Sequence, residues 1–201
     1  MDKQTGIWER IVSEPASDAL LNVAMKRLSR ALSDMIGYSI RYQRIQIETV
    51  PIAQVAMRLG DPECEMVGIY LQLYGSGHGQ ALFVLSMDSA LTLVDLLETP
   101  RGPVPGPGIG LNERAALAEL GNVALSHFCN AVVSFADTPA QIRPSPPAVV
   151  VDMQGAIASL AVMPSAATGD EVTIIETFLS DVNEALQVRF WMLPNRATRC
   201  A

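Results

Sequence analysis

The stretch AALAELGNVALSHFCNAVVSF, Ala115 to Phe135, decides how the chain folds. On a helical wheel of about 100° per residue, Leu117, Leu120, Gly121, Ala124, Phe128, Ala131, Val132 and Phe135 fall on one side. Asn112, Glu119, Asn122, Ser126, Asn130 and Asp137 form a polar stripe about 80° wide, interrupted by Ala115 and Val133. The segment therefore reads as an amphipathic helix from Asn112 to about Ala136. Glycine in a helix interior costs roughly 1 kcal/mol relative to alanine. Gly121 faces inward, where a missing side chain lets the helix sit close to a sheet. Glu119 and Asn122 are neighbours one turn apart on the outer face. On periodicity alone, an acid and an amide three residues apart are what a solvated helix face carries.

Working outward, SDALLNVAMKRLSRALSDMI (Ser17–Ile36) is a second long amphipathic helix, with Asp18 in its first turn and Gly37 as its stop. Around Asn22 its outer face carries Asp18, Lys26, Ser29 and Ser33, flanked by Arg27 and Arg30; Ala19 stands where the later helix has Glu119. YSIRYQRIQIETV then alternates as a strand, PIAQVAMRLG starts a short helix at Pro51, and EMVGIYLQLY and QALFVLSM are strands joined by GSGHG. DSALTLVDLLE is a helix capped by Asp88 or Ser89. After the second long helix come an extended, proline-broken AQIRPSPPAVVV, a short helix DMQGAIASLAVM, and strands EVTIIETFLS and ALQVRFWMLP. The order is long helix, strand, short helix, strand, strand in both halves, with Asn22 and Asn122 matched. This is the signature of an internal duplication. The predicted fold is α/β (α+β), one pseudo-twofold domain with two long helices sharing a face of a mainly antiparallel sheet. Its repeats span about 11–98 and 111–195, joined by the Pro/Gly-rich linker TPRGPVPGPGIG at 99–110, whose glycines do not match a phosphate-binding loop.

Composition narrows the function classes. With 49% hydrophobic and 17% charged residues, the 201-residue chain can bury a sizeable core. Its net charge of −7 argues against a nucleic-acid footprint, which wants a basic stripe. Cys64, Cys129 and Cys200 include no CxxC pair and show no zinc spacing. Cys129 reads as a small apolar residue. The N-terminus lacks an apolar signal region, and the apolar run Ala148–Met163 falls short of a membrane span. A cytoplasmic protein without a membrane span is expected. His78 lies in a glycine-rich loop, His127 lies just off the polar stripe, and no Ser-His-Asp set is arguable.

AELGNVALSHFCNAVVSF followed by RPSPPAVVVDMQGAI resembles the second half of the CheC/CheX/FliY family of chemotaxis phosphatases, and ALSDMIGYSIRYQRIQIETVPIAQV is similar to the matching part of their first half. The likeness runs from about Ser17 to Pro194. It implies a phosphatase of the phosphoaspartate on a CheY-type response regulator. Glu119 would pair with the receiver's lysine, Asn122 would hold the attacking water, and Pro144 or Pro146 would complete the motif. No cofactor of the chain's own is implied; the magnesium would belong to the receiver. Three positions depart from the family pattern. Ala115 stands where an Asp or Ser is usual. Ala19 replaces a Glu beside Asn22, and Ile45 lies near where the first half's Pro would fall. One working site is therefore expected in the second half, with Asn22 marking a degenerate first site. Lys26 and Arg30 suggest that the first face repels a receiver's lysine or meets another partner. The alternative is a non-catalytic module of the same fold, resembling the FliM middle domain or acting as an adaptor for a CheD-type deamidase. Only seven residues follow Pro194, which weighs against a FliM-type C-terminal switch-assembly domain.

Overall fold

The computed structural model describes residues 7–13, 17–97, 108–134, 141–167 and 169–195. Helix α1 (Ile7–Ser13) leads into α2 (Ser17–Ile36), β1 (Ile40–Tyr42), β2 (Gln46–Pro51), α3 (Ile52–Arg58), β3 (Glu65–Gly75) and β4 (Gly79–Ser86). The same series follows as α4 (Met87–Leu96), α5 (Leu111–Ser134), β5 (Ile142–Pro144), β6 (Ala148–Met153), α6 (Gln154–Ala166), β7 (Glu171–Asp181) and β8 (Gln187–Pro194). In this order α4 is the counterpart of α1. Helix α1 was not legible in the sequence, because about two amphipathic turns are too short to show a period.

The eight strands form one antiparallel sheet in the order β1-β7-β8-β4-β3-β5, with β2 also on β7 and β6 also on β3. The register repeats between halves. Ile47 opposite Ile175 is matched by Val149 opposite Ile69, and Tyr42 opposite Leu179 by Pro144 opposite Leu73. Even the bonds outside the ladders recur. Ile52 N donates to Asp170 O at 2.9 Å as Gln154 N does to Cys64 O at 2.8 Å, and the pair Gln43 N to Phe178 O and Ser145 N to Gln72 O are both 2.8 Å. The pseudo-twofold relation expected from the repeated element order is thus present residue by residue.

Strand alternation divides the core between the two faces of the sheet. Ile69, Leu71, Phe83, Ile175 and Phe190 point to the side covered by α1, α2, α4 and α5. Tyr70, Leu82, Val84, Ile174 and Trp191 point to the side covered by α3 and α6, which pack on each other. The two long helices pack together on the first side. Phe83 lies opposite Phe190 at the central β4–β8 pair, with ring centroids 4.9 Å apart, and Phe128 of α5 meets Phe190 edge-on at 5.7 Å. Gly121 is buried against Ile69; an added Cβ would stand 2.7 Å from Ile69 Cγ2. Helix α5 is long and apolar enough to cross a bilayer by length and composition, but half of its apolar window is buried, so it serves here as a core helix.

Several local expectations are refined. Gly37 ends α2 at φ 73°, donating to Ser33 O at 3.0 Å. The cap of α4 is Ser86 rather than Asp88 or Ser89: its backbone is extended, and its Oγ accepts from Ser89 N at 3.1 Å. The strand expected over 38–50 breaks at Gln43–Ile45, the same place as the proline break after β5. Ser29 is buried rather than on the outer face, bonding Lys26 O, and Ser33 accepts from Ile40 N at 2.8 Å, tying α2 to β1. The linker from Thr99 to Pro107, Phe135, Asp137 and Cys200 lie outside the described residues.

A charged cluster fastens β2 and α3 of the first half onto β7 and β8 of the second. Buried Glu176 accepts from Trp191 Nε1 at 2.8 Å and from Arg58 Nη2 at 3.3 Å, and lies 3.5 Å from Arg189 Nε. Arg58 also pairs with Glu48 at 2.6 Å, which holds the Glu48 carboxyl below its ordinary pKa.

Two outcomes test this packing. Gly121→Ala is expected to lower stability in urea unfolding by about 1 kcal/mol, because overpacking of ~1–3 kcal/mol against Ile69 outweighs the helix-propensity gain of ~1 kcal/mol. Glu176→Ala should cost about 2–4 kcal/mol, since it leaves the buried Trp191 N–H without its acceptor and removes the carboxylate shared by Arg58 and Arg189.

Candidate functional site

Glu119 and Asn122 sit on the face of α5 turned away from Ile69, Glu119 exposed and Asn122 half-buried. Their placement follows from packing: the helix buries Leu117, Leu120, Gly121, Ala124, Leu125 and Phe128, which leaves the 119–122 edge outward. Among the described residues neither side chain makes a hydrogen bond or ion pair. Two groups one turn apart therefore keep their full hydrogen-bonding capacity for a ligand: a carboxylate that only accepts, and an amide that both donates and accepts.

Ala115 lies one turn before Glu119 and is exposed. The neighbouring Arg114 turns away, donating from Nη1 to Val149 O at 2.7 Å and from Nε to Ile109 O at 3.2 Å. Pro144 ends β5, against which α5 packs. Pro146 lies on the exposed loop after it, held by Ser145, whose Oγ accepts from Gln72 N at 3.0 Å and donates to Pro146 O at 2.9 Å.

The first half shows what a different set of residues does on the same frame. By register the counterpart of Pro144 is Tyr42, and by the same offset Ile45 is the counterpart of Pro147, one residue past that of Pro146. Tyr42 Oη bonds Asn22 at both its backbone O and its Oδ1, 3.2 Å each, while Asn22 Nδ2 donates to Asp18 O at 2.6 Å. The Asn22 amide is thus engaged at both ends. Lys26, Arg27 and Arg30 are exposed nearby, Arg30 in a loose surface pair with Asp34 at 3.8 Å. Tyr42 was missed in the sequence; aligning IRY with IRP would have found it.

The other polar residues stand apart. His78 is exposed in the β3–β4 turn, its backbone O accepting from Asn195 N at 3.0 Å, and His127 is exposed on α5. Burial pushes the Cys129 thiol up to about 12, which leaves it no thiolate to speak of near neutral pH. Among the described residues, no group of three or more His, Cys, Asp or Glu side chains is placed to hold a metal ion.

Known proteins share this fold, an antiparallel sheet with a duplicated helix pair. No protein-family model matches the chain. The chain is 22% identical over 177 residues to the CheY-P phosphatase CheC of Bacillus subtilis, covering 87% of this chain and 84% of that one. FliY of Thermotoga maritima superposes with a TM-score of 0.66 at 17% identity, over 88% of this chain and 86% of that one. The CheX of the CheX–CheY–BeF3–Mg2+ complex from Borrelia burgdorferi gives 0.58 at 14%, over 87% and 96%. The FliM middle domain from Vibrio alginolyticus gives 0.54 at 12%, over 87% and 92%. The chain is thus similar in sequence to CheC and shares the fold of FliY, CheX and CheC-like proteins.

Because Asn122 has no partner to lose, Asn122→Ala should leave the melting midpoint nearly unchanged, within about ±0.5 kcal/mol of wild-type stability. A larger loss in thermal unfolding would mean that the amide serves the fold.

Proposed function

We propose that this protein is a cytoplasmic phosphatase of a CheY-type response regulator, working through a single site on α5. The observation that carries this reading is the pairing of Glu119 with an Asn122 whose amide is unengaged, against an Asn22 whose amide is engaged. The likeness to CheC and to the CheX found with CheY supports the choice of partner.

Hydrolysis of an acyl phosphate needs a water held in line with the phosphorus–oxygen bond that breaks. In the proposed complex Asn122 enters the receiver's site and orients that water. Its amide can accept one water proton and donate to the water oxygen without itself titrating. The water oxygen bonds to phosphorus, the bond to the aspartyl oxygen breaks, and aspartate and inorganic phosphate leave. Glu119 docks against the receiver's lysine, and the magnesium is the receiver's own. Pro144, set at the register position from which Tyr42 reaches Asn22, is the better of the two prolines for bordering the site; a ring without a donor leaves the amide free. Pro146 lies two residues further out.

A second reading has its own support. Ala115 in place of an acid or hydroxyl, together with the FliM-like fold, fits a non-catalytic module, a flagellar switch component or a CheD-binding adaptor.

Loss of phosphate from a phosphorylated receiver of the same organism separates the two. Wild type should accelerate it, and Asn122→Ala should lose about 100-fold in kcat because the water loses its alignment. Glu119→Lys should raise KM about tenfold or more by setting like charges together. Asn22→Ala should stay near wild type. Equal damage from Asn22→Ala and Asn122→Ala would overturn the single-site reading, and no acceleration by wild type would establish the non-catalytic one.

A further inference from the structure

The two edges of the sheet are finished differently. β6 and β2 are equivalent edge strands, each hydrogen-bonded to one neighbour among the described residues. Bonding alternates along an antiparallel ladder. Since Gln154 N bonds Cys64 O and Ile52 N bonds Asp170 O, the residues an odd number of steps away turn their backbone groups outward. On β6 these include Val149, whose O is capped by Arg114. Arg114 belongs to the N-terminal extension of α5; α2 begins at Ser17, the counterpart of Leu117. On β2 the outward residues are Ile47, Thr49 and, at its end, Pro51, which has no N–H; no side chain among the described residues caps Ile47 O. Thr49 and Thr173 sit as a close pair with hydroxyls 2.9 Å apart, as expected where the ladder bonds point away.

Beside this uncapped edge runs an open groove of about 580 Å³ between α2 and β2, bordered by Asp18, Asn22, Arg44, Ile45, Ile47 and Glu48. Its lining carries two acids, Asp18 and Glu48, and one cation, Arg44. Glu48 is paired with Arg58, while exposed Arg44, and exposed Lys26 one turn along α2 from Asn22, make no ion pair among the described residues. Asp18 is the one acid of the groove without a cation partner among the described residues. In a chain of net charge −7 with 14 Lys and Arg, this concentration of free cations marks a place where an anionic ligand is favoured.

We infer that the β2 edge is a docking site for an extended acidic peptide segment of a partner protein, which adds a short strand to Ile47 and Thr49 and sets its carboxylates against Arg44 and Lys26. Strand addition supplies backbone bonds without sequence demand, and the flanking cations supply the selection. Natural sheets blunt exposed edges with caps, charges or prolines. Here Arg114 caps one edge, while among the described residues the Ile47–Thr49 stretch of its equivalent has no cap and only its end is blunted, by Pro51.

The test is fluorescence anisotropy with a labelled peptide of about eight alternating Val and Glu residues, and with its Val–Lys counterpart as control. Saturable binding of the acidic peptide alone is expected. Thr49→Pro removes one outward N–H and leaves the β2–β7 ladder bonds in place. It and Arg44→Glu should each weaken binding about fivefold or more. Asn122→Ala should not change it, which separates this site from that of α5. Equal binding of both peptides, no saturable binding, or indifference to Arg44→Glu overturns the inference. If Thr49→Pro fails to fold, hydrogen exchange decides: the acidic peptide must slow the Ile47 and Thr49 amides of wild type and leave Val149 and Val151 unaffected. A dimer in sedimentation that Thr49→Pro abolishes would assign the edge to a second copy of the chain and overturn the peptide.

Discussion

Neither half of this chain completes its own sheet, and the rest of the structure depends on that. β2 of the first half hydrogen-bonds to β7 of the second, and β6 of the second to β3 of the first. The β4–β8 pair closes the middle. With the edge strands exchanged, both halves share one sheet, and the crossovers from α2 and α5 must lie on the same side of it. The long helices then bury their apolar stripes against the sheet and each other, and their polar edges are left facing solvent side by side. The Glu176 cluster reinforces the exchange at the seam between β2 with α3 and β7 with β8.

The depth at which α5 sits is set by Gly121 on Ile69. A residue with a Cβ there would lift or roll the helix, and a roll moves Asn122 relative to Pro144 and the β5 end. The glycine's intrinsic cost of roughly 1 kcal/mol in a helix is therefore tied to the position of the site one residue away. An outward amide held at a fixed height over a rigid sheet is the kind of support that the proposed water-orienting role would need, because alignment is lost with displacements of about 1 Å.

Much of this was legible in the sequence, for physical reasons that also mark where legibility stops. The 3.6 period of the long helices, the alternation in β3, β4, β7 and β8, the Gly37 stop and the inward Gly121 are local properties that the chain states openly. The strand exchange is a non-local pairing and leaves no local trace. At the cap of α4, Ser86, Asp88 and Ser89 stand within four residues, and only the extended backbone at Ser86 settles the choice. Alternation continues through Gln43–Ile45 although the ladder does not. Ser29 looks outward on an ideal wheel, yet its hydroxyl satisfies itself on Lys26 O and so tolerates burial. For the site, Glu119 and Asn122 could be read from the helix face; the engagement of Asn22 could not, because it depends on Tyr42, twenty residues away in the chain.

A duplicated frame holds its two halves alike only where packing demands it. Ile47 and Val149 share a register position and differ little, as do Ile175 and Ile69. Tyr42 and Pro144 also share one, at the half-exposed end of a short strand, and there the residue type is free to change. That single exchange alters the chemistry of the helix opposite. A phenol satisfies the neighbouring amide, whereas a proline ring has no donor with which to do so. The hydrogen bonds from Tyr42 and to Asp18 supply partners to Asn22 that water or a ligand would otherwise provide, so its amide has little left to offer. Asn122, on the same turn of the partner helix, keeps both ends of its amide open. Divergence of two equivalent faces thus needs no change in the fold, only in which polar groups are already satisfied before a partner arrives.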